Sequence, residues 1–203
     1  MKIICIGCNY VKHIEELKHQ VPSEPVIFMK PDSAIVKRNQ DVYLPDFSNE
    51  LHHEVELVVK INRLGKNIAP RFAHRYYEEI GIGIDFTARD IQRKCLENGL
   101  PWEISKAFDR SAPIGKFLPK SELGDLRNLD FHLDVNGITV QKGNSSNMIF
   151  PVDEIISYVS RFFTLKIGDL IFTGTPEGVG PVNMGDRLEA FIGDKKLLDF
   201  RVK

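Results

Sequence analysis

LHHEVELVVKI, residues Leu51–Ile61, is the stretch on which the reading of the fold turns. At a period of two, Leu51, His53, Val55, Leu57, Val59 and Ile61 share one face, and His52, Glu54, Glu56, Val58 and Lys60 the other. This alternation predicts a strand with one face packed on a core. The second face carries two carboxylates with Cα atoms ~6.5–7 Å apart at ~3.3 Å of rise per residue. Like charges that close raise one another's pKa unless a positive group intervenes. Either that face is in water or it holds a cation.

Working outward, the chain punctuates cleanly. Residues 2–7 read as an early strand. Tyr10 to Gln20 reads as a helix, with Tyr10, Ile14, Leu17 and Val21 at apolar positions and His13 and Glu16 one turn apart. That pair is either a solvated surface contact or a base oriented by a carboxylate. VIFMKP is a short strand ended by Pro31, with Lys30 at its close, either snorkelling or aimed into a site. APRFAHRYYEE reads as a helix opened by Pro70, and IGIGIDF as a strand whose Gly81 and Gly83 allow a close approach. Asp85 stands near its end. Thr87-Ala88-Arg89-Asp90 resembles a capping box for a helix through Asn98, with Gly99 as its C-cap. LDVNGITVQ predicts a type I′ hairpin at Asn136-Gly137. FPVDEIISYVSRFFTL predicts an amphipathic helix with Ile155, Ile156 and Val159 on its buried stripe. IGDLIFT, MGDRLEAFIG and KKLLDFRVK read as strands. With 203 residues, no repeats and no linkers, the expectation is one strand-dominated α+β domain over 1–203 with a few peripheral helices.

Charge excludes some function classes. Lys plus Arg (27) balances Asp plus Glu (28), and no long basic run occurs, so neither nucleic acid nor an anionic membrane is an expected partner. No apolar run reaches the length of a membrane span, and MKIICIG is too short for a signal peptide, so the chain reads as cytoplasmic. Three cysteines suit a reducing compartment. Cys5 and Cys8 form a C-x-x-C. A zinc site would need a second pair, and Cys5 lies in an apolar strand, which weighs against redox chemistry. TGTPEGVGPV lacks the Gly-Lys-Ser/Thr of a phosphate-binding loop.

A hard divalent cation takes oxygen ligands from rigid elements. Glu54 and Glu56 supply two, and Asp85 is the best-placed third; His52 would suit zinc or iron better. Several stretches, GCNYVKHIEEL, VIFMKP, LHHEVEL, GIDFTARDIQ, GLPWEISKAFD, NSSNMIF and LKIGDLIFTGTPEGVGP, run in order from residue 7 to 181. Together they resemble the fumarylacetoacetate hydrolase family, in particular its short acylpyruvate hydrolase and oxaloacetate decarboxylase branch. The resemblance implies a β-roll fold, a homodimer, and one Mg²⁺ or Mn²⁺ held by Glu54, Glu56 and Asp85. It assigns His13 and Glu16 to a catalytic dyad on a lid segment. Lys30, Gln92, Lys106 and Thr175 become the groups that hold the substrate carboxylate and the developing enolate, with Lys106 catalytic. The family often has Arg where this chain has Cys8, which removes a bidentate carboxylate clamp.

The implied activity is metal-dependent cleavage of a C–C bond in a small 2-oxo acid through an enolate held at the metal. Acylpyruvate or fumarylpyruvate hydrolysis and oxaloacetate decarboxylation both fit. The alternative on the same site is isomerisation or tautomerisation of an unsaturated dicarboxylic 2-oxo acid. A binding protein with a vestigial site and a cysteine-based redox protein rank below these.

Overall fold

The structure is a computed structural model that describes residues 1–16, 20–37 and 40–203. Its largest sheet has eight strands. Seven run in the order Val26–Lys30, Ile3–Gly7, Leu170–Phe172, Val55–Ile61, Tyr77–Ile84, Ala112–Ile114, Ile35–Lys37, and Leu118–Pro119 pairs with Tyr77–Ile84. A four-stranded antiparallel sheet runs Ile138–Asn144, Asp130–Val135, Arg187–Ile192, Lys195–Arg201. Three short strands, Gly180–Pro181, Leu51–His53 and Thr87–Ala88, form a third. The fold is strand-dominated, and its sheets curl around one large core.

The Leu51–Ile61 stretch departs from expectation in an informative way. It is two strands, Leu51–His53 and Val55–Ile61, which belong to different sheets and meet at Glu54. Both faces of Val55–Ile61 are covered. Val55, Leu57, Val59 and Ile61 enter the large core, while Val58 packs with Ile3, Cys5 and Phe172 in a smaller core on the opposite face. The face bearing Glu54 and Glu56 is therefore not in water: the two residues are 5% and 2% exposed.

Most other elements follow the residue pattern. The Asn136-Gly137 hairpin forms, both residues having positive φ (54° and 78°) as a type I′ turn demands. The helix Val152–Phe162 buries Ile155, Ile156 and Val159. Val11–Glu16 is helical; Leu17, expected on its buried face, lies outside the described residues, and Val21 is exposed. The helix opened by Pro70 ends at Ala73, because Tyr77–Glu79 already pairs with Lys60 and Ile61 in the main sheet. The helix Arg89–Glu97 has Ala88 at its N-cap and no side-chain cap. Thr87 donates instead to Glu54. A short helix, Glu103–Lys106, is an element that periodicity did not reveal. Among the described residues no helix is long and apolar enough to cross a membrane.

Gly83 pairs with Glu56 across the two central strands. A Cβ there would lie 2.8 Å from the Phe172 ring and 3.0 Å from the Pro113 carbonyl oxygen. The close approach expected at this glycine is thus made by the smaller core and a neighbouring strand. Gly83→Ala should destabilise the protein by ~1–3 kcal/mol, as overpacking does, read as a lower urea midpoint with unchanged slope. A shift under ~0.5 kcal/mol would show that Phe172 yields without cost.

Candidate active site

Antiparallel register places the acidic residues together. Val55 pairs with Ile84, and the Asp85 N–H donates to the Glu54 carbonyl at 2.8 Å, so Asp85 emerges directly opposite Glu54. Glu56 follows two residues along the same strand. One carboxylate oxygen from each of Glu54, Glu56 and Asp85 lies within 4.8 Å of the others. All three residues are buried. Gly174 completes the arrangement by donating its N–H to Glu56 at 2.7 Å. Its φ of +98° and the 2.7 Å that would separate an added Cβ from Asn9 Cβ make glycine the residue that fits.

Three cations answer two of the carboxylates, Glu54 and Asp85. Lys106 Nζ donates to Glu54 Oε2 at 2.7 Å and to Asp85 Oδ2 at 2.8 Å. Arg89 pairs with Glu54 Oε1 and also reaches the Gln92 side-chain oxygen and His52. Lys30 Nζ lies 2.7 Å from Asp85 Oδ1. Burial opposes the charge on Glu54, but Lys106 and Arg89 hold its carboxyl well below the ordinary range. Glu56 is pushed the other way, by burial and then by Asp85 and Glu54. Burial likewise opposes the charge on Lys106, yet Asp85 and Glu54 keep its pKa raised.

The residues fit a hard divalent ion. The donors are all carboxylate oxygens. Asp85 Oδ1, although beside Lys30 Nζ, accepts no directed hydrogen bond among the described residues. His52 is not placed to join: its Nε2 lies 3.2 Å from Glu50 and its Nδ1 accepts from Arg89.

The triad opens on a small cleft. His13, Arg89, Gln92, Lys106 and Thr175 are its polar lining, and Ile6, Cys8, Phe28, Leu96 and Trp102 its less polar lining. His13 is buried, its Nδ1 3.2 Å from Glu16 Oε2, and Glu16 also accepts from the Gly178 N–H. Burial lowers the His13 pKa, against the opposing pull of Glu54 and Glu16. Thr175 Oγ1 accepts from Gln141.

Of the expected site residues, Lys30 is placed differently from the rest. Its side chain is wholly buried, it does not line the cleft, and its ammonium is clasped by the carbonyls of Phe86, Lys106 and Ser111, the Ser111 hydroxyl and Asp85. There it holds Asp85 from behind. Arg89 is the cleft residue that the sequence reading passed over. Its signal was present: Arg89 and Gln92 stand three apart, the spacing already noted for His13 and Glu16. It supplies a guanidinium to the cleft. Cys5 and Cys8 are thiols pushed upward in pKa, both chiefly by burial, the opposite of what redox chemistry requires.

The chain is 43% identical over 201 residues to the mitochondrial oxaloacetate tautomerase FAHD1 of Mus musculus, covering 99% of this chain and 91% of that protein. It is 43% identical over 188 residues to the oxaloacetate tautomerase YcgM of Escherichia coli (strain K12), covering 92% and 86%. Among solved structures, the fumarylpyruvate hydrolase of Pseudomonas aeruginosa in complex with Mn²⁺ and pyruvate superposes with a TM-score of 0.93 at 40% identity, covering 100% of this chain and 89% of that one. Residues 2–203 match the family described as fumarylacetoacetate (FAA) hydrolase C-terminal, an enzyme family to which this chain belongs.

Proposed function

We propose that the protein interconverts the keto and enol forms of a small dicarboxylic 2-oxo acid of the oxaloacetate class, using one Mg²⁺ or Mn²⁺ at Glu54, Glu56 and Asp85. The observation that carries this reading is one cleft holding a neutral base and a fixed ammonium beside a buried carboxylate triad. Relatives named oxaloacetate tautomerase, 43% identical over most of their length, support the substrate class.

The bound ion would supply Lewis acidity that lowers the energy of negative charge on the 2-oxo oxygen. The rest falls to the chain. His13 and Lys106 are driven apart in pKa by their surroundings, which separates their roles. Lys106 stays charged and stabilises the oxyanion electrostatically. His13 stays neutral: its Nδ1–H donates to Glu16, leaving the Nε2 lone pair as the base. Nε2 removes a proton from C3, the C–H electron pair becomes the C2–C3 double bond, and the carbonyl π pair moves onto oxygen. Return of the proton to that oxygen gives the enol, and the reverse sequence gives the ketone. No water is consumed.

Charge also favours a dianion. Glu54, Glu56 and Asp85 face Lys30, Lys106 and Arg89, so a divalent ion adds two positive charges and a dicarboxylate removes them. A second reading keeps the same residues and breaks a C–C bond, with His13 activating water against an acylpyruvate. It is favoured by the similarity to the Mn²⁺- and pyruvate-bound fumarylpyruvate hydrolase. The apolar wall of Phe28, Leu96 and Trp102 would accept an acyl chain.

Decay of the oxaloacetate enol absorbance, run beside CO₂ release and acetylpyruvate hydrolysis, separates the two readings. Tautomerisation should exceed both other rates by orders of magnitude, and the reverse ranking would replace the first reading by the second. His13→Ala should slow tautomerisation by about 10²–10⁴-fold. Because burial lowers the His13 pKa, the free-base form persists below the ordinary value of about 6.5, so the acid limb of the kcat/KM profile should fall below that pH. A limb above it would remove His13 as the base. Mg²⁺ or Mn²⁺ at about a hundred times its Kd should stabilise the protein by ~2.7 kcal/mol. Glu56→Gln should abolish that rise in melting temperature, and a rise that survives the substitution would place the ion elsewhere.

A further inference from the structure

Gln141 is a buried amide that the reaction scheme leaves unused. It lies on the edge strand Ile138–Asn144 of the four-stranded sheet, is 1% exposed, and reaches out of that sheet towards the break at Glu54. Its Oε1 accepts from the Val55 N–H at 3.0 Å and contacts His53 Nδ1 at 2.9 Å. Its Nε2 donates to Thr175 Oγ1 at 2.9 Å and to the Pro176 carbonyl at 3.0 Å. All four hydrogen-bonding positions of the amide are engaged.

The orientation of this amide follows from its neighbours. A backbone N–H only donates and a carbonyl oxygen only accepts, so Val55 fixes the oxygen end and Pro176 the nitrogen end. Gln141 must therefore donate to Thr175. A hydroxyl that accepts at one lone pair turns its own hydrogen elsewhere, and Thr175 lines the cleft. Were Thr175 to donate to its neighbour, it would present the cleft with lone pairs, which repel an anion.

We propose that Gln141 is a positioning residue that commits the Thr175 hydroxyl to donate into the cleft, towards the substrate carboxylate. The inference rests on the 2-oxo dicarboxylic acid reading for the identity of the anion. It also gives the strand break a second use. The Val55 N–H beside the break anchors the amide that orients Thr175. One side chain from a separate sheet thereby ties a binding donor to the backbone that carries Glu54 and Glu56.

Gln141→Met and Gln141→Leu both remove the donor to Thr175 while keeping a side chain of similar size. Each should raise the KM for oxaloacetate by roughly ten-fold, the scale for one hydrogen bond to a charged group, with kcat within about two-fold. Thr175→Val should match them, and Gln141→Met/Thr175→Val should be no worse than Thr175→Val alone, since one interaction is lost once. Additive losses, or a fall in kcat at constant KM, would overturn the role. If Gln141→Met fails to fold, Gln141→Leu with Thr175→Val carries the same cycle. Calorimetric binding of oxalate in Mg²⁺ reads the donor without turnover. Oxalate binding that weakens in the same pattern, in a protein that turns over no 2-oxo acid, would sink the function reading and leave this one standing. Binding of neither oxalate nor oxaloacetate to the wild-type protein would overturn both.

Discussion

Three carboxylates held in one buried place are the constraint to which the rest of the molecule answers. At an effective dielectric of about 20, two like charges 4.8 Å apart repel by roughly 3–4 kcal/mol. Burial adds a desolvation cost of several kcal/mol for each ion. A site of this kind persists only if positive charge is delivered to it by rigid elements. Lys106 comes from a one-turn helix, Arg89 from the start of the next helix back, and Lys30 from the end of a strand. Each belongs to a different segment, so the packing of three elements is set by electrostatics as well as by apolar contact.

The sheet break at Glu54 is where this constraint meets the backbone. A continuous strand would have kept Leu51–His53 in the same sheet as Val55–Ile61. Splitting them lets Leu51–His53 pair with Thr87–Ala88 and Gly180–Pro181, which turns the segments bearing Thr87, Arg89 and the Gly174–Gly178 loop towards the carboxylates. Thr87 then spends its hydroxyl on Glu54 instead of capping its own helix. A local capping preference of about 1 kcal/mol yields to the larger need of a buried carboxylate. The two cores do the complementary work, clamping both faces of the strand so that the break cannot slide.

The polar network around Lys30 belongs to the same logic. An ammonium with no exposure survives because several acceptors surround it and one of them is Asp85. Breaking such a pair by removing one partner is far costlier than never having built it. Lys30 is therefore bound to the architecture of the site while standing outside the cleft. Proximity to a site in sequence does not distinguish a group that touches substrate from one that holds a ligand in place.

The residue pattern alone determined a good deal. Period-two alternation located the central strand, Asn136-Gly137 specified its hairpin through backbone φ, and the apolar stripe of Val152–Phe162 specified a packed helix, because each depends on neighbours within a few residues. The paired glutamates at 54 and 56 raised the question of a cation by themselves. Asp85 followed as a third ligand from its place at a strand end, and the ordered motifs from residue 7 to 181 named the family and, with it, the roles expected of His13, Glu16 and Lys106. Only the tertiary structure decided what covers the second face of the strand, that Glu54 sits at a break, that Lys30 meets Asp85 without lining the cleft, and that Arg89 and Gln141 face towards its working groups. Those outcomes rest on contacts between residues tens of positions apart in the chain: 35 for Arg89 with Glu54, 86 for Gln141 with Val55. Periodicity reports which face a side chain occupies but carries no information on which distant element arrives to meet it.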